Sequence, residues 1–206
     1  MTKTNKSEQV EVKTFKWGPC VIKINILDDF KQLLLKEALK NKNDYSDQLA
    51  SNGKATEYSK KSQQIITPYL ARYLDIYDKL FLNHHGKGYF IIKPEYRLNS
   101  LWCNYQKRYD FNPPHDHAGD LSFVVYLTIP EKLNKENAEH KARSCGPGGI
   151  QFMYGDGPRD CVRRLAYFPA EGDMFIFPAW LHHWVYPFKS NITRVSVSGN
   201  VYNAKK

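Results

Sequence analysis

The chain has 206 residues, of which 42% are hydrophobic and 25% charged, and its net charge is +9. It can therefore bury a substantial core, while no apolar run approaches the roughly 18 residues that a transmembrane helix needs. The first residues lack the hydrophobic stretch of a signal peptide. We expect one domain over residues 1–206, located in the cytoplasm (the host's, if a phage encodes it) and without a membrane partner.

The positive charge does not predict a specific nucleic-acid site. Lysines are scattered over the first 60 residues and over residues 132–143, and no recognised nucleic-acid motif accompanies them. Charge alone supports only non-specific attraction to phosphates or acidic proteins. The oligomeric state stays open. The cysteines lack C-x-x-C spacing, which argues against a structural zinc module and favours reduced thiols at Cys20, Cys103, Cys145 and Cys161.

In chain order, residues 10–26 read as two short strands around Trp17-Gly18-Pro19. Asp28 and Asp29 then begin a helix that runs to about Asn41. A polar loop is predicted over residues 41–55. A longer helix follows from about Thr56 to Asn83, because its apolar residues recur at i, i+3 and i+4.

Strands are predicted to fill the second half of the chain. Residues 98–203 would form the β core, and residues 1–97 a helical support region in front of it. Within the core, residues 132–149 form a charged insertion that ends in Cys145-Gly146-Pro147-Gly148-Gly149. Such a loop at the rim of a barrel predicts either a substrate lid or a disordered surface segment.

Two segments of the β core carry closely spaced histidines. Side chains in a strand alternate between faces, so His115 and His117 point the same way and Asp116 points away. A second segment, Gly172 to His183, is a short apolar strand closed by a proline turn that delivers another histidine. Three imidazoles that converge predict a metal site, and imidazole suits zinc, copper, iron and nickel alike.

A carboxylate-binding pair follows the last of these histidines. Arg194 and Ser196 share one strand face by the same alternation. A guanidinium binds a carboxylate bidentately, and a neighbouring hydroxyl can add a hydrogen bond. The pattern therefore predicts a metal site beside a carboxylate site, although both residues could also be ordinary strand positions.

This constellation resembles the iron(II)/2-oxoglutarate-dependent oxygenases, and in particular a family found in marine bacteria and their phages. The resemblance covers residues 98–201 in the family's order, through Trp102-Cys103-Asn104-Tyr105, His115-Asp116-His117, Leu121–Leu127, Gly172–His183 and Arg194-Val195-Ser196. It implies a mainly β fold, a double-stranded β-helix of jelly-roll or cupin-like type with N-terminal flanking helices. It also implies Fe(II), 2-oxoglutarate and O2 as cofactors.

The resemblance further implies that His115, His117 and His183 are metal ligands, with His182 on the opposite face. The usual superfamily pattern has an aspartate where this chain has His117. Three alternatives remain: His117 is the third ligand, Asp120 folds back to replace it, or two histidines suffice and His117 lies behind them. Arg194 and Ser196 would hold the far carboxylate of 2-oxoglutarate. Pocket candidates beside them are Tyr105, Asn104 and Tyr126, and Tyr105 could equally be a packed core residue.

We therefore predict an Fe(II)/2-oxoglutarate-dependent dioxygenase that hydroxylates a peptidyl residue, with proline as the first candidate, or a small molecule. One alternative is a cupin-like metal oxygenase that does not use 2-oxoglutarate. It would lack the glutamate expected after His-x-His and would leave Arg194 and Ser196 without a role. Another is a non-catalytic jelly-roll binding protein. The sequence does not identify the substrate.

Overall fold

The computed structural model describes residues 18–49, 52–86, 93–155 and 163–205. These residues contain three helices, which are α1 (Asp28–Ala38), α2 (Lys60–His85) and α3 (Glu131–Ala138). They also contain ten strands, which are β1 (Ile22–Asn25), β2 (Lys54–Glu57), β3 (Tyr96–Gln106), β4 (Asn112–His115), β5 (Leu121–Thr128), β6 (Ile150–Met153), β7 (Arg164–Tyr167), β8 (Asp173–Pro178), β9 (His182–Val185) and β10 (Arg194–Asn203).

The strands form two antiparallel sheets. The larger sheet has the order β1-β8-β5-β10-β3-β2, and the smaller sheet has the order β4-β9-β6-β7. This mainly β arrangement, with two helices before the long strands, matches the fold class predicted from the sequence.

Both faces of the larger sheet are covered. On one face, Val125 and Val197 belong to an apolar cluster that also contains residues of α1 and α2. On the other face, Val124 and Phe175 pack with Phe152 of the smaller sheet. Because side chains alternate along a strand, the polar residues that share a face with Val124 point into the space between the sheets.

The segment between α1 and α2 is more ordered than the loop predicted for residues 41–55. It contains a turn of 3-10 helix at Ser46–Gln48 and the edge strand β2, in which Thr56 lies opposite Cys103 of β3. The four residues of β2 show no apolar alternation, so the strand depends on the hydrogen-bonding edge that β3 presents. Helix α2 consequently begins at Lys60 rather than near Thr56, and Pro68 lies inside the helix without ending it.

The front of the chain contributes strands as well as helices. Strand β1 is the second of the two strands predicted in residues 10–26, and it forms one edge of the larger sheet while β2 forms the other. The first predicted strand lies outside the described residues, as do Trp17, which follows it, and Cys161. A domain covering residues 1–206, divided near residue 97, stays a prediction. In the described ranges, no helix has the length and apolar character needed to cross a membrane.

Candidate active site

Three histidines converge between the two sheets. His115 ends β4 and lies opposite His183 of β9 in the strand register, while His117 follows two residues later. The atoms that these residues can offer to a metal all lie within 4.8 Å of one another. Among the described residues, they are the group of histidine, cysteine or acidic side chains whose geometry would suit a metal ion.

Backbone carbonyls orient two of the three rings. The Nδ1 atom of His115 lies 2.7 Å from the carbonyl oxygen of Pro113, and that of His183 lies 2.9 Å from the carbonyl oxygen of Leu181. Because a carbonyl only accepts hydrogen bonds, we assign the ring proton to Nδ1 in both residues. The Nε2 atom of each ring then carries the lone pair that can coordinate a metal, and that of His115 lies 3.3 Å from the amide nitrogen of Asn112.

Burial also keeps the three imidazoles neutral. Burial and, to a smaller extent, neighbouring His115 together lower the pKa of His117 to about 4 and that of His183 to about 3. The pKa of His115 is lowered by burial as well. Since a histidine must be unprotonated to coordinate a metal, the folded chain holds all three residues in the binding form near neutral pH.

The structure separates the carboxylates from this cluster. Asp120 is turned toward the end of β10, where its Oδ2 atom accepts a hydrogen bond from the Asn203 backbone at 2.7 Å. Asp116 points outward, with its Oδ2 atom 3.3 Å from the Nε2 atom of His182, and both side chains are more than half exposed. The geometry therefore favours His117 over Asp120 as a third ligand and leaves His182 outside the cluster.

The histidines open into a cavity of about 350 Å³ between the sheets. Its floor is a row of alternate residues on β10, which begins at Arg194 and continues through Ser196, Ser198 and Asn200. Asn104 on β3 and Tyr126 on β5 lie opposite Ser196 in the two neighbouring strand registers. Phe111, which is 43% exposed, marks the open end, whereas Arg194 is buried at the other.

Arg194 is a buried cation with unused donors. Its Nη1 atom donates to the carbonyl oxygen of Gly148 at 2.5 Å, and its Cζ atom lies 5.1 Å from the ring centroid of Tyr126. Burial raises the pKa of Tyr126 to about 12, so the phenol keeps its proton at neutral pH. Burial lowers the pKa of Arg194, but an arginine side chain stays protonated in proteins. Within the described residues, the Arg194 Nε atom and the Tyr126 hydroxyl are buried without a hydrogen-bond partner.

These orphaned donors fit a carboxylate ligand. Burying a charge is costly unless it is paired, and buried polar atoms normally have partners. No acidic side chain in the described ranges forms an ion pair with Arg194. A carboxylate group entering the cavity would satisfy both the guanidinium and the phenol.

Tyr105 does not line this cavity, contrary to its prediction as a cofactor-binding residue. It packs against the apolar cluster on the helix side of the larger sheet. The reason is the period of the strand: Asn104 faces the cavity, so its neighbour Tyr105 must face the other side. The phenol available to a ligand is instead that of Tyr126.

Sequence reasoning missed several cavity residues. Trp102 lies with its ring 5.8 Å from that of His117, and Gln106 carries a buried Oε1 atom without a partner among the described residues. Both share the face of Asn104, so the period-two pattern of β3 could have identified them. Tyr45 gave no such signal, because it lies in the segment predicted as a loop.

The insertion at residues 132–149 does not have the contacts of a rim lid. It forms α3, whose Leu133 is fully buried, and then a glycine-rich turn. The carbonyl of Gly148 in this turn is the acceptor for Arg194. The segment therefore closes the buried end of the cavity.

Comparison with known proteins agrees with this geometry. Residues 100–200 match the family described as "Putative 2OG-Fe(II) oxygenase". No curated protein matches the chain in sequence.

Solved structures share the fold at low identity. An oxidoreductase of the 2OG-Fe(II) oxygenase family from Burkholderia pseudomallei is 12% identical, with a TM-score of 0.59 over 88% of this chain and 84% of that chain. A Pseudomonas putida prolyl-4-hydroxylase is 15% identical, with a TM-score of 0.57 over 89% of this chain and 92% of that chain.

A third structure, the viral collagen prolyl hydroxylase from Paramecium Bursaria Chlorella virus-1 in its 2OG complex, is 14% identical. Its TM-score is 0.53 over 88% of this chain and 94% of that chain. These likenesses confirm the double-stranded β-helix, and the family match assigns Fe(II) and 2-oxoglutarate as cofactors. The chain thus belongs, through residues 100–200, to the iron(II)/2-oxoglutarate-dependent oxygenase superfamily and is an oxidoreductase.

Proposed function

We propose that this protein is a 2-oxoglutarate-dependent dioxygenase that hydroxylates a prolyl or other ring-bearing residue of a peptide. The observation that carries the proposal is the presence, in one cavity, of three neutral histidines and a buried arginine without an acidic partner in the described ranges. A metal and a dicarboxylate would complete both halves of the site.

The metal half would consist of His115, His117 and His183. Three ligands on one side of an Fe(II) ion leave positions open for a cosubstrate and for oxygen. When bound, Fe(II) supplies the oxygen chemistry that couples decarboxylation of 2-oxoglutarate to substrate hydroxylation. The protein orients the His115 and His183 rings through the Pro113 and Leu181 carbonyls and keeps all three rings unprotonated by burial.

The cosubstrate half would consist of Arg194, Tyr126 and Ser196. Arg194 offers its Nε edge, Tyr126 its hydroxyl, and Ser196 a third buried donor on the same cavity face. Three histidines add no negative charge, so the iron-loaded cavity is one unit more positive than with the usual carboxylate ligand. A dianion such as 2-oxoglutarate offsets that excess.

The open end of the cavity favours a ring-bearing substrate. The ring centroids of Tyr45 and Trp102 lie 5.7 Å apart, and the exposed Phe111 lines the same cavity. Aromatic surfaces bind apolar and cyclic groups over large contact areas. Two solved structures of similar fold are named as prolyl hydroxylases, which makes proline-containing peptides the first substrates to test and small cyclic molecules the second.

The test is a titration followed by turnover. Fe(II)-loaded protein under nitrogen should bind 2-oxoglutarate in a calorimeter, and in air it should release succinate faster when a proline-containing peptide is present. Metal binding without 2-oxoglutarate binding would favour a cupin-like oxygenase. A protein that binds neither would be a non-catalytic binding module.

A further inference from the structure

One side chain of α3 bridges two carbonyls of the turn that follows the helix. The Nδ2 atom of Asn137 donates to the carbonyl oxygen of Cys145 at 2.8 Å and to that of Pro147 at 3.0 Å. The turn is tight, because the Gly149 backbone donates to the Gly146 carbonyl at 3.1 Å. Asn137 thus holds the two carbonyls that lead into Gly148, while the Tyr186 backbone accepts from the Gly148 amide at 3.3 Å and donates to the Gly149 carbonyl at 3.0 Å.

Helix α3 is a firm base for this side chain. Leu133 is fully buried in the cluster between the sheets. Glu136 accepts hydrogen bonds from the backbones of Lys189 and Ser190, at 2.7 and 2.8 Å. The helix is therefore fixed to the segment that leads into β10, which carries Arg194.

The Gly148 carbonyl selects the edge of the guanidinium that faces the cavity. It accepts from Nη1 of Arg194, and the Tyr126 ring lies against the guanidinium face. Nη1 lies on the opposite side of the guanidinium from the Nε–H bond. Because Nη1 is occupied by the Gly148 carbonyl, the Nε edge stays free for a ligand. The Nε atom is buried and has no hydrogen-bond partner among the described residues.

We propose that Asn137 is a positioning residue for 2-oxoglutarate binding. It holds the turn so that the Gly148 carbonyl fixes Arg194 with its Nε edge toward the cosubstrate. The inference rests on the proposed role of Arg194, but it adds a residue from the insertion that does not touch the ligand. An arginine without this acceptor would have to be oriented again each time the cosubstrate bound.

The decisive variant is Asn137→Asp. It keeps the size of the side chain but replaces the donor by an oxygen that repels both carbonyls. Losing the orientation of a charge-assisted pair should raise the dissociation constant of 2-oxoglutarate by about tenfold or more, measured by calorimetry on Fe(II)-loaded protein under nitrogen. Iron content should stay unchanged. In turnover, the KM for 2-oxoglutarate should rise while kcat at saturation changes little.

Two further variants separate positioning from general stability. Glu136→Ala removes the contacts of α3 with residues 189–190, while Leu133 still anchors the helix and the turn keeps its Asn137 hydrogen bonds. It should lower the melting temperature and raise the dissociation constant of 2-oxoglutarate far less than Asn137→Asp does. Asn137→Ser can make at most one of the two hydrogen bonds and should give an intermediate affinity. It also serves if Asn137→Asp does not fold.

The outcomes are distinguishable. Equal loss of affinity in Glu136→Ala and in the Asn137 variants would reduce Asn137 to a structural role and overturn the inference. The inference would also be overturned if a folded Asn137 variant bound 2-oxoglutarate as tightly as the wild-type protein while Arg194→Ala had lost binding. If the wild-type protein itself does not bind 2-oxoglutarate, the proposed function fails first.

Discussion

His115 and His183 lie opposite each other on the paired strands β4 and β9, with ring centroids 4.3 Å apart. Each ring is oriented by the carbonyl two residues before it in the chain. The same hydrogen bond on two antiparallel strands thus directs the two Nε2 atoms into the cavity between the sheets, and His117 completes the group of three histidines.

The first prediction distinguishes the adjacent histidines of β9. His183→Ala should abolish iron binding and 2-oxoglutarate turnover, because it removes a buried ring of the cluster. His182→Ala should have a much smaller effect, since His182 is exposed and lies beside Asp116. Iron content by metal analysis and succinate release provide the measurements. Equal losses in the two variants would show that the wrong histidine has been assigned.

The second prediction concerns the third ligand. His117→Ala should weaken iron binding, and His117→Asp should retain it by restoring the carboxylate common in the superfamily. Asp120→Ala should leave iron content unchanged, because its carboxylate is bonded to the Asn203 backbone. Loss of iron from Asp120→Ala alone would contradict the three-histidine site.

The third prediction tests the carboxylate site. Arg194→Ala should weaken 2-oxoglutarate binding by about ten- to a hundredfold or more, because a hydrogen bond to a charged group contributes about 1.5–3 kcal/mol. Arg194→Lys should recover only part, since an ammonium lacks the planar fork. Ser196→Ala should cost less, on the order of 1 kcal/mol. Titration under nitrogen would decide, and unchanged affinity in Arg194→Ala would exclude the site.

The fourth prediction compares two tyrosines. Tyr126→Phe removes a buried hydroxyl of the cavity that has no hydrogen-bond partner among the described residues. The affinity for 2-oxoglutarate should fall by about fivefold, which corresponds to the loss of one hydrogen bond of about 1 kcal/mol. Tyr105→Phe should leave the affinity unchanged, because Tyr105 packs on the other face of the larger sheet. The same titration measures both, and the reverse order of effects would refute this placement.

The fifth prediction concerns the metal-free protein at low pH. Burial lowers the pKa of His117 to about 4 and that of His183 to about 3, whereas the unfolded chain has the ordinary value of about 6.5. Below about 6.5 the unfolded chain binds protons that the folded chain does not, so the free energy of unfolding decreases as pH falls. The free energy of unfolding falls by on the order of 1.4 kcal/mol per pH unit for each histidine. This loss is absent above about pH 6.5.

Urea denaturation between about pH 7.5 and pH 5 measures this loss. His117→Gln should show a shallower decrease than the wild-type protein. His182→Gln is the matched control, because its exposed ring leaves the slope as it is in the wild type. Identical slopes in all three proteins would mean that the buried histidines do not control acid stability.

Much of the site was readable from strand periodicity. Alternation placed His115 with His117 and Arg194 with Ser196, and the positions of these four residues in the cavity agree with that pattern. The same rule, applied to β3, would have removed Tyr105 and added Trp102 and Gln106. That error came from assigning a role by resemblance without checking which face the residue occupies.

The sequence by itself determined the fold class, the histidine pattern and the shared strand face of Arg194 and Ser196, because these depend on residue type and on spacing along single strands. Only the tertiary structure favours His117 over Asp120 as a third ligand, since the Asn203 backbone that holds Asp120 lies more than 80 residues away in the chain. The same holds for β2, which needs the edge of β3, and for the turn at Gly148, which meets Arg194 across the buried end of the cavity. Such contacts join segments distant in sequence, and no local pattern encodes which segments will meet.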